Sequence, residues 1–188
     1  MGTGDQFSAD RTTSERKMPA LTAEQRWLVQ ASWEKVEPMA PYVAELFYDR
    51  LFELNPLLED LFPANLSEQA TLCECGKQWM AALGQAVARL DEPGNIVPCF
   101  EELSRRHVQY GVRPANYVTM GDALLWTLEQ SLAEDFTPRV KEAWGAAYDL
   151  LSVLLIESDA AVALAREPGS GRRPIEPAGL GAHRRRVG

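Results

Sequence analysis

The amino-acid sequence predicts an all-α domain. Apolar residues recur at spacings of three and four in long segments, proline and glycine separate these segments, and no alternating, strand-like run is flanked by hairpin turns. With 188 residues, 46% of them hydrophobic, the chain is long enough for one well-buried core but short for two. We therefore expect one domain over residues 21–165, between two tails, 1–20 and 166–188, whose composition is typical of disorder.

The first two predicted helices are set by proline and by a capping pattern. Thr22 is placed to cap the first helix, with Gln25 reaching back in a capping box, and the helix should end before Pro38. Pro41 suits the first turn of the second helix, whose apolar stripe stops just before Pro56.

Four more helices follow from the same signals. Each has apolar residues on one face, and proline stands at or near the start of three of them. The predicted helices cover about 65–90 and about 98–109, and two later ones begin at Pro114 and at Thr137–Pro138.

Charge and residue counts exclude several classes of function. A formal net charge of -8 does not fit a basic nucleic-acid surface. No apolar run approaches the length of a membrane span, and no secretory signal is evident, so we expect a cytoplasmic protein. Cys73, Cys75 and Cys99 are an odd number and do not make a disulfide framework. With only two histidines, His107 and His183, the usual zinc sites cannot be assembled.

His107 lies on the apolar stripe formed with Phe100 and Leu103, so its imidazole is expected to point into the interior. An inward histidine requires a partner. By position alone, a core histidine bonded to a backbone carbonyl is as good an interpretation as a ligand to a cofactor.

Longer sequence segments favour the cofactor ligand over the core histidine as the interpretation of His107. RRHVQYGV and GDALLWTL resemble the region around the proximal histidine of bacterial globins. LTAEQRWLVQASWEKVEP, ELFYDRLFELNPLLEDLF and FTPRVKEAWGAAYDLLSVL are similar to their first, next two and last helices, so that residues 21–164 are covered. The resemblance is to single-domain haemoglobins and to the haem domain of flavohaemoglobins. It implies a globin fold of six to eight helices around haem b, with His107 as the iron ligand.

The same resemblance assigns further contacts to the cofactor. Phe62 matches the phenylalanine that packs on the porphyrin, and Tyr48 matches a tyrosine whose hydroxyl can donate to an oxygen ligand; plain core packing is the alternative for both. Tyr117 matches a tyrosine beside the proximal histidine, and Val112 is taken as a neighbouring contact. Asp159 is the nearest counterpart of a carboxylate that completes this set, but we expect it to be solvated.

The distal residue, on the far side of the cofactor from His107, departs from the family pattern. Matching WMAALGQAV places Cys75 there, with Trp79 facing the haem one turn later, whereas matching LFPANLSEQ places Gln69 there. We favour Cys75, because six extra residues inside a helix would rotate all that follows by roughly 240°. Gln78 is a further alternative. Buried cysteine is usually inert, and the alternative for Cys75 is a soft ligand to the iron or a redox sensor.

These expectations lead to a primary function and three alternatives. The first is reversible binding of O₂, and also of NO or CO, at a His107-ligated haem. Enzymatic nitric oxide dioxygenation is the second, and it requires a separate reductase because no flavin or nicotinamide motif is found. The third is a haem-based gas or redox sensor, and the fourth is a globin-like fold without haem.

Overall fold

The computed structural model describes residues 20–61 and 69–166, without the side chains of residues 69–73. The described part therefore leaves out Phe62, His183 and both predicted tails except for Ala20 and Arg166, and Arg166 still belongs to the last helix. Six α-helices and no strand occur in the described part. The helices are α1 Ala23–Val36, α2 Ala40–Leu54, α3 Gln69–Val87, α4 Val97–Tyr110, α5 Asn116–Leu132 and α6 Pro138–Arg166.

The predicted helix ends follow local chemistry. The capping box at Thr22 is present: its hydroxyl accepts from the backbone N–H of Gln25, whose side chain accepts from the N–H of Thr22. Short 3₁₀ helices, Glu37–Met39 and Pro56–Leu61, follow α1 and α2. None of the described helices combines the length and the apolar run that crossing a bilayer requires.

Two predicted boundaries were slightly wrong. Helix α3 ends at Val87 rather than near Leu90, because the N–H of Leu90 bonds the carbonyl of Val87 in a tighter i→i−3 turn that buries the Leu90 side chain. Helix α5 begins at Asn116, not at Pro114, and the Asn116 side chain accepts from the backbone N–H of Arg113. Errors of two or three residues are usual for helix ends that are predicted from sequence.

The core lies where α6 crosses α1 and α4, and where α2 packs on α3 and α5. Trp144 of α6 is fully buried, tilts against Trp33 at 6.2 Å between ring centroids, and donates its indole N–H to Ser32 at 2.8 Å. This anchor fixes α6 against α1. The C-terminal half of α6 packs against α4 and reaches His107 through Asp159.

Candidate functional site

One predominantly apolar pocket lies between α2, α3, α4, α5 and α6. Its atom-free space amounts to about 1110 Å³, including the open mouth. Six of the seven residues that the sequence predicted as cofactor contacts line this single pocket. They are Tyr48, Cys75, Trp79, His107, Val112 and Tyr117. The seventh, Phe62, is outside the described residues, so its predicted contact is untested.

His107 lies in the last turn of α4, which ends in a left-handed glycine. Gly111 has φ 76°, a conformation that side chains with a Cβ rarely adopt. The backbone N–H groups of Gly111 and Val112 both bond the carbonyl of His107. The short sequence after His107 therefore holds this turn in place and directs the chain towards α5.

The imidazole of His107 is joined to two other helices by hydrogen bonds. Its Nδ1 lies 2.8 Å from the Tyr117 hydroxyl of α5 and 3.3 Å from Oδ2 of Asp159 on α6. The Tyr117 hydroxyl donates to the same Oδ2 at 2.6 Å. Only 13% of the His107 side chain and 14% of the Asp159 side chain are exposed. The expectation that Asp159 is solvated was therefore wrong, because the packing of α6 on α4 buries it.

Proton positions in this cluster follow from the environment. Burial, and then the hydrogen bond to the Asp159 carboxylate, raise the pKa of the Tyr117 phenol far above its usual range. Tyr117 is therefore neutral and donates its hydroxyl hydrogen bond to Asp159. Its oxygen can then accept a hydrogen bond from a protonated Nδ1 of His107. The other ring nitrogen, Nε2, is left without a hydrogen-bond partner among the described residues.

The opposite wall of the pocket is built mainly from aromatic rings. Trp79 stacks on Phe47 with centroids 4.1 Å apart and planes inclined by 14°. Phe47 in turn meets Tyr48 edge to face at 5.3 Å. Burial, followed by the nearby Cys75 thiol, raises the pKa of the Tyr48 phenol well above its usual range. Tyr48 therefore keeps the proton that a hydrogen-bond donor needs.

Cys75 and Gln78 both line the pocket, whereas the side chain of Gln69 is outside the described residues. Burial raises the pKa of the Cys75 thiol, against an opposing effect of the nearby Arg106 guanidinium. Gln78 donates to Glu74 at 2.9 Å, and its Oε1 is buried without a hydrogen-bond partner among the described residues. Both remain candidates for the distal residue.

Sequence reasoning missed four polar residues that line the pocket, one of them Ser152 of α6. Arg106 and Tyr110, on either side of His107 in sequence, also line the pocket. Tyr148 lines it too, and its hydroxyl donates to the backbone carbonyl of Tyr117 at 2.5 Å. The sequence showed Tyr148 only as one position of an apolar stripe, because its hydrogen bond depends on how α5 and α6 pack.

A family model described as globin matches residues 45–154, which include all of α3, α4 and α5 and most of α2 and α6. The chain belongs to the globin family. The described part of this globin has the predicted all-α fold of six helices, and five of them, α2 to α6, enclose the pocket that His107 lines.

Relatives of this globin include two bacterial proteins and one from a fish. It is 30% identical over 155 residues to a flavohemoprotein of Vibrio cholerae, covering 80% of this chain and 38% of that protein. It is 34% identical over 146 residues to a flavohemoprotein of Bordetella parapertussis, covering 76% and 35%. A neuroglobin of Tetraodon nigroviridis is 26% identical over 142 residues, covering 71% and 89%. The chain thus spans little more than a third of these flavohemoproteins.

The globin family implies a haem cofactor, and the chemistry of the pocket fits one. A planar apolar macrocycle requires apolar walls, which Leu103, Leu124 and Trp79 supply. Iron requires a nitrogen donor, and His107, which lines this space, offers Nε2, a nitrogen that no described residue contacts by a hydrogen bond. The second nitrogen of a ligating histidine is usually bonded to a carboxylate or carbonyl, as Nδ1 is here.

Proposed function

We propose that this globin binds haem b through Nε2 of His107 and reversibly binds oxygen and other diatomic gases. The observation that supports this most directly is the hydrogen bonding of the imidazole: Nδ1 contacts Tyr117 and Asp159, whereas Nε2 has no hydrogen-bond partner among the described residues and is available to a metal. A bound haem would supply the iron that coordinates the gas and an electron for redox chemistry. The residues of the chain orient the ligand, exclude water and donate hydrogen bonds.

The absorption spectrum of the haem-loaded protein tests this assignment. His107→Ala should abolish stoichiometric haem binding or markedly alter the Soret band in the ferric, ferrous and carbon monoxide forms. His183→Ala is the matched control, because the sequence holds only these two histidines. An unchanged spectrum in His107→Ala, or a wild-type protein that takes up no stoichiometric haem, would contradict the proposal.

Tyr48 is proposed as the hydrogen-bond donor to the gas. The outer atom of an oxygen ligand carries partial negative charge, which a buried neutral hydroxyl stabilises more than it stabilises carbon monoxide. A hydrogen bond of about 1.4 kcal/mol corresponds to roughly tenfold in equilibrium. Tyr48→Phe should therefore release oxygen about tenfold faster and carbon monoxide at a nearly unchanged rate in stopped-flow measurements. Equal changes for the two gases would assign Tyr48 to packing alone.

The contacts of His107 favour a second candidate function, nitric oxide dioxygenation. A histidine bonded to Tyr117 and Asp159 donates more electron density to iron than one bonded to a backbone carbonyl, which promotes oxidative chemistry. Nitric oxide and oxygen would combine into nitrate, a one-electron reduction overall, with the electron supplied by a separate reductase. Nitrate produced in one turnover by the reduced, oxygen-saturated protein should approach one per haem. A yield near zero would exclude this activity and leave reversible gas binding.

A further inference from the structure

Tyr117 is tied to α6 at two points. Its side chain donates to Asp159, and its backbone carbonyl accepts the hydroxyl of Tyr148 at 2.5 Å. Tyr148 and Asp159 are separated along α6 by close to three helical turns, so they lie on the same side of that helix. Hydrogen bonds to the single helix α6 therefore hold both the side chain and the backbone of Tyr117 in position.

The contact between α5 and Tyr148 depends on a glycine. A Cβ added at Gly121 would lie 2.5 Å from Cε1 and 2.9 Å from Cδ1 of the Tyr148 ring. Gly121 lies four residues after Tyr117, so in a regular α-helix its N–H bonds the same carbonyl that Tyr148 reaches. The absent side chain thus creates the space through which the Tyr148 hydroxyl approaches that carbonyl.

Tyr148 can act only as a donor in this contact, because a backbone carbonyl only accepts. Burial, and then the nearby carboxylates of Asp122 and Asp149, raise the pKa of the Tyr148 phenol well above its usual range. The hydroxyl therefore stays protonated. Tyr148 is a half-buried residue of the pocket wall, but its hydroxyl is directed to the α5 backbone.

We propose that Tyr148, seated on Gly121, is a positioning residue for the proximal histidine. It fixes the first turn of α5, which holds the Tyr117 hydroxyl between Nδ1 of His107 and the Asp159 carboxylate. Tyr148 thereby controls how strongly the imidazole is hydrogen bonded, and with it the electron donation from His107 to iron. This inference rests on the proposed function, because it concerns the same ligand.

The iron–histidine stretching vibration of the ferrous, gas-free protein, measured by resonance Raman spectroscopy, is the direct readout. Its frequency rises with the strength of the hydrogen bond at Nδ1. Tyr148→Phe keeps the ring and removes the hydroxyl, and it should lower this frequency. Tyr117→Phe, which removes the bonded group itself, should lower it further.

A matched control distinguishes a positioning role of Tyr148 from a general loss of stability in α6. Ser32→Ala removes the buried acceptor of Trp144, which lies on α6 one turn before Tyr148 and outside the His107 cluster. This variant should lose stability and keep the wild-type iron–histidine frequency. An unchanged frequency in Tyr148→Phe, or equal shifts in Tyr148→Phe and Ser32→Ala, would overturn the positioning role.

Gly121→Ala provides an independent test that leaves Tyr148 in the sequence. The new methyl group should displace the Tyr148 ring and lower the iron–histidine frequency as Tyr148→Phe does, and the double variant should show no additional shift. A wild-type frequency in Gly121→Ala, or additive shifts in the double variant, would contradict the inference. If the wild-type protein shows no iron–histidine band at all, then the proposed ligation fails, which is a distinguishable outcome.

Discussion

On the side of the pocket that carries His107, polar atoms from three helices are joined by short hydrogen bonds, whereas the side that carries Tyr48 is held mainly by stacked rings. Tyr117 meets both His107 and Asp159 within 2.8 Å. Across the pocket, Trp79 and Phe47 are held by ring contact at 4.1 Å. Hydrogen bonds are directional and fix angles, while ring stacking fixes position more loosely.

Because of this difference, we expect one side of the pocket to determine mainly the stability of the fold and the other to determine mainly the electron donation from His107. Apolar burial contributes most of the free energy of folding and does not depend on orientation, so the ring side should dominate stability. The hydrogen-bonded side involves fewer atoms but acts on the imidazole itself. Substitutions on the two sides should therefore affect different measurements.

The largest expected effect on stability is on the ring side. Trp79→Ala removes the stack on Phe47, and because Trp79 is half-buried we expect a loss of about 3 kcal/mol, the lower end of the range for a core tryptophan replaced by alanine. Urea unfolding followed by circular dichroism should show this loss, with the iron–histidine frequency nearly unchanged. Trp27→Ala is the control: Trp27 is 65% exposed, and surface changes usually stay within about 0.5 kcal/mol. Similar losses for the two tryptophans would show that the stack does not stabilise the fold.

On the hydrogen-bonded side, Tyr117→Phe should cost less stability and change the ligand more. The hydroxyl bonded to a carboxylate contributes about 2 kcal/mol, since hydrogen bonds to charged groups are worth about 1.5–3 kcal/mol. The iron–histidine frequency should fall in the same variant. Tyr42→Phe removes a hydroxyl from an exposed tyrosine and should change neither quantity. A Tyr117→Phe protein with the wild-type frequency would remove the distinction between the two sides.

Alkaline pH should weaken both sides through their buried tyrosines. Burial raises the pKa of Tyr48, Tyr117 and Tyr148 above the unfolded value of 10.0. Below pH 10 both states keep these protons and this stabilisation is complete. Above it the unfolded chain releases protons that the folded protein retains, so stability falls with rising pH, by up to about 1.4 kcal/mol per pH unit for each tyrosine.

Single substitutions should show how much each tyrosine contributes to the slope of the free energy of unfolding against pH. Tyr117→Phe and Tyr148→Phe should each reduce the slope above pH 10 by one proton, whereas Trp79→Ala should lower stability and leave the slope intact. The free energy of unfolding, measured in urea from pH 8 upwards, reports both effects. Equal slopes in the wild type and both tyrosine variants would show that these phenols ionise alike in the folded and unfolded states.

Much of the fold follows from local signals in the sequence. The capping box at Thr22 and the prolines between helices act within a few residues, so the helices could be predicted closely. His107 was recognisable because its inward position on an apolar stripe is also a local property. The family resemblance then supplied its expected role.

Local signals do not predict the hydrogen-bond partners of His107, and only the family resemblance pointed to Tyr117 and Asp159. Whether Asp159 faces water or His107 depends on how α6 lies along α4, and Asp159 is next to Ser158, which is buried. Tyr148 reaches Tyr117 only because Gly121 permits close packing. Both facts depend on tertiary register, which a single sequence does not specify. The distal side stayed ambiguous for a related reason, since two alignments placed different residues there.

The smallest expected effect concerns the α4–α6 contact beside the ligand. Ser104, one turn before His107, donates to Ser158 at 2.8 Å, and both residues are buried. Removing either hydroxyl should cost about 1 kcal/mol, the usual net contribution of such a bond.

If this pair holds α6 in register, then the Ser104→Ala and Ser158→Ala losses should be less than additive in the double variant, because the second change removes a bond already lost. Ser131→Ala, which removes a bond within α5 alone, should combine additively with either change. Full additivity of Ser104→Ala with Ser158→Ala would mean that the hydroxyl pair does not couple the two helices, and the ordering of Asp159 beside His107 would then depend on apolar packing, as on the ring side.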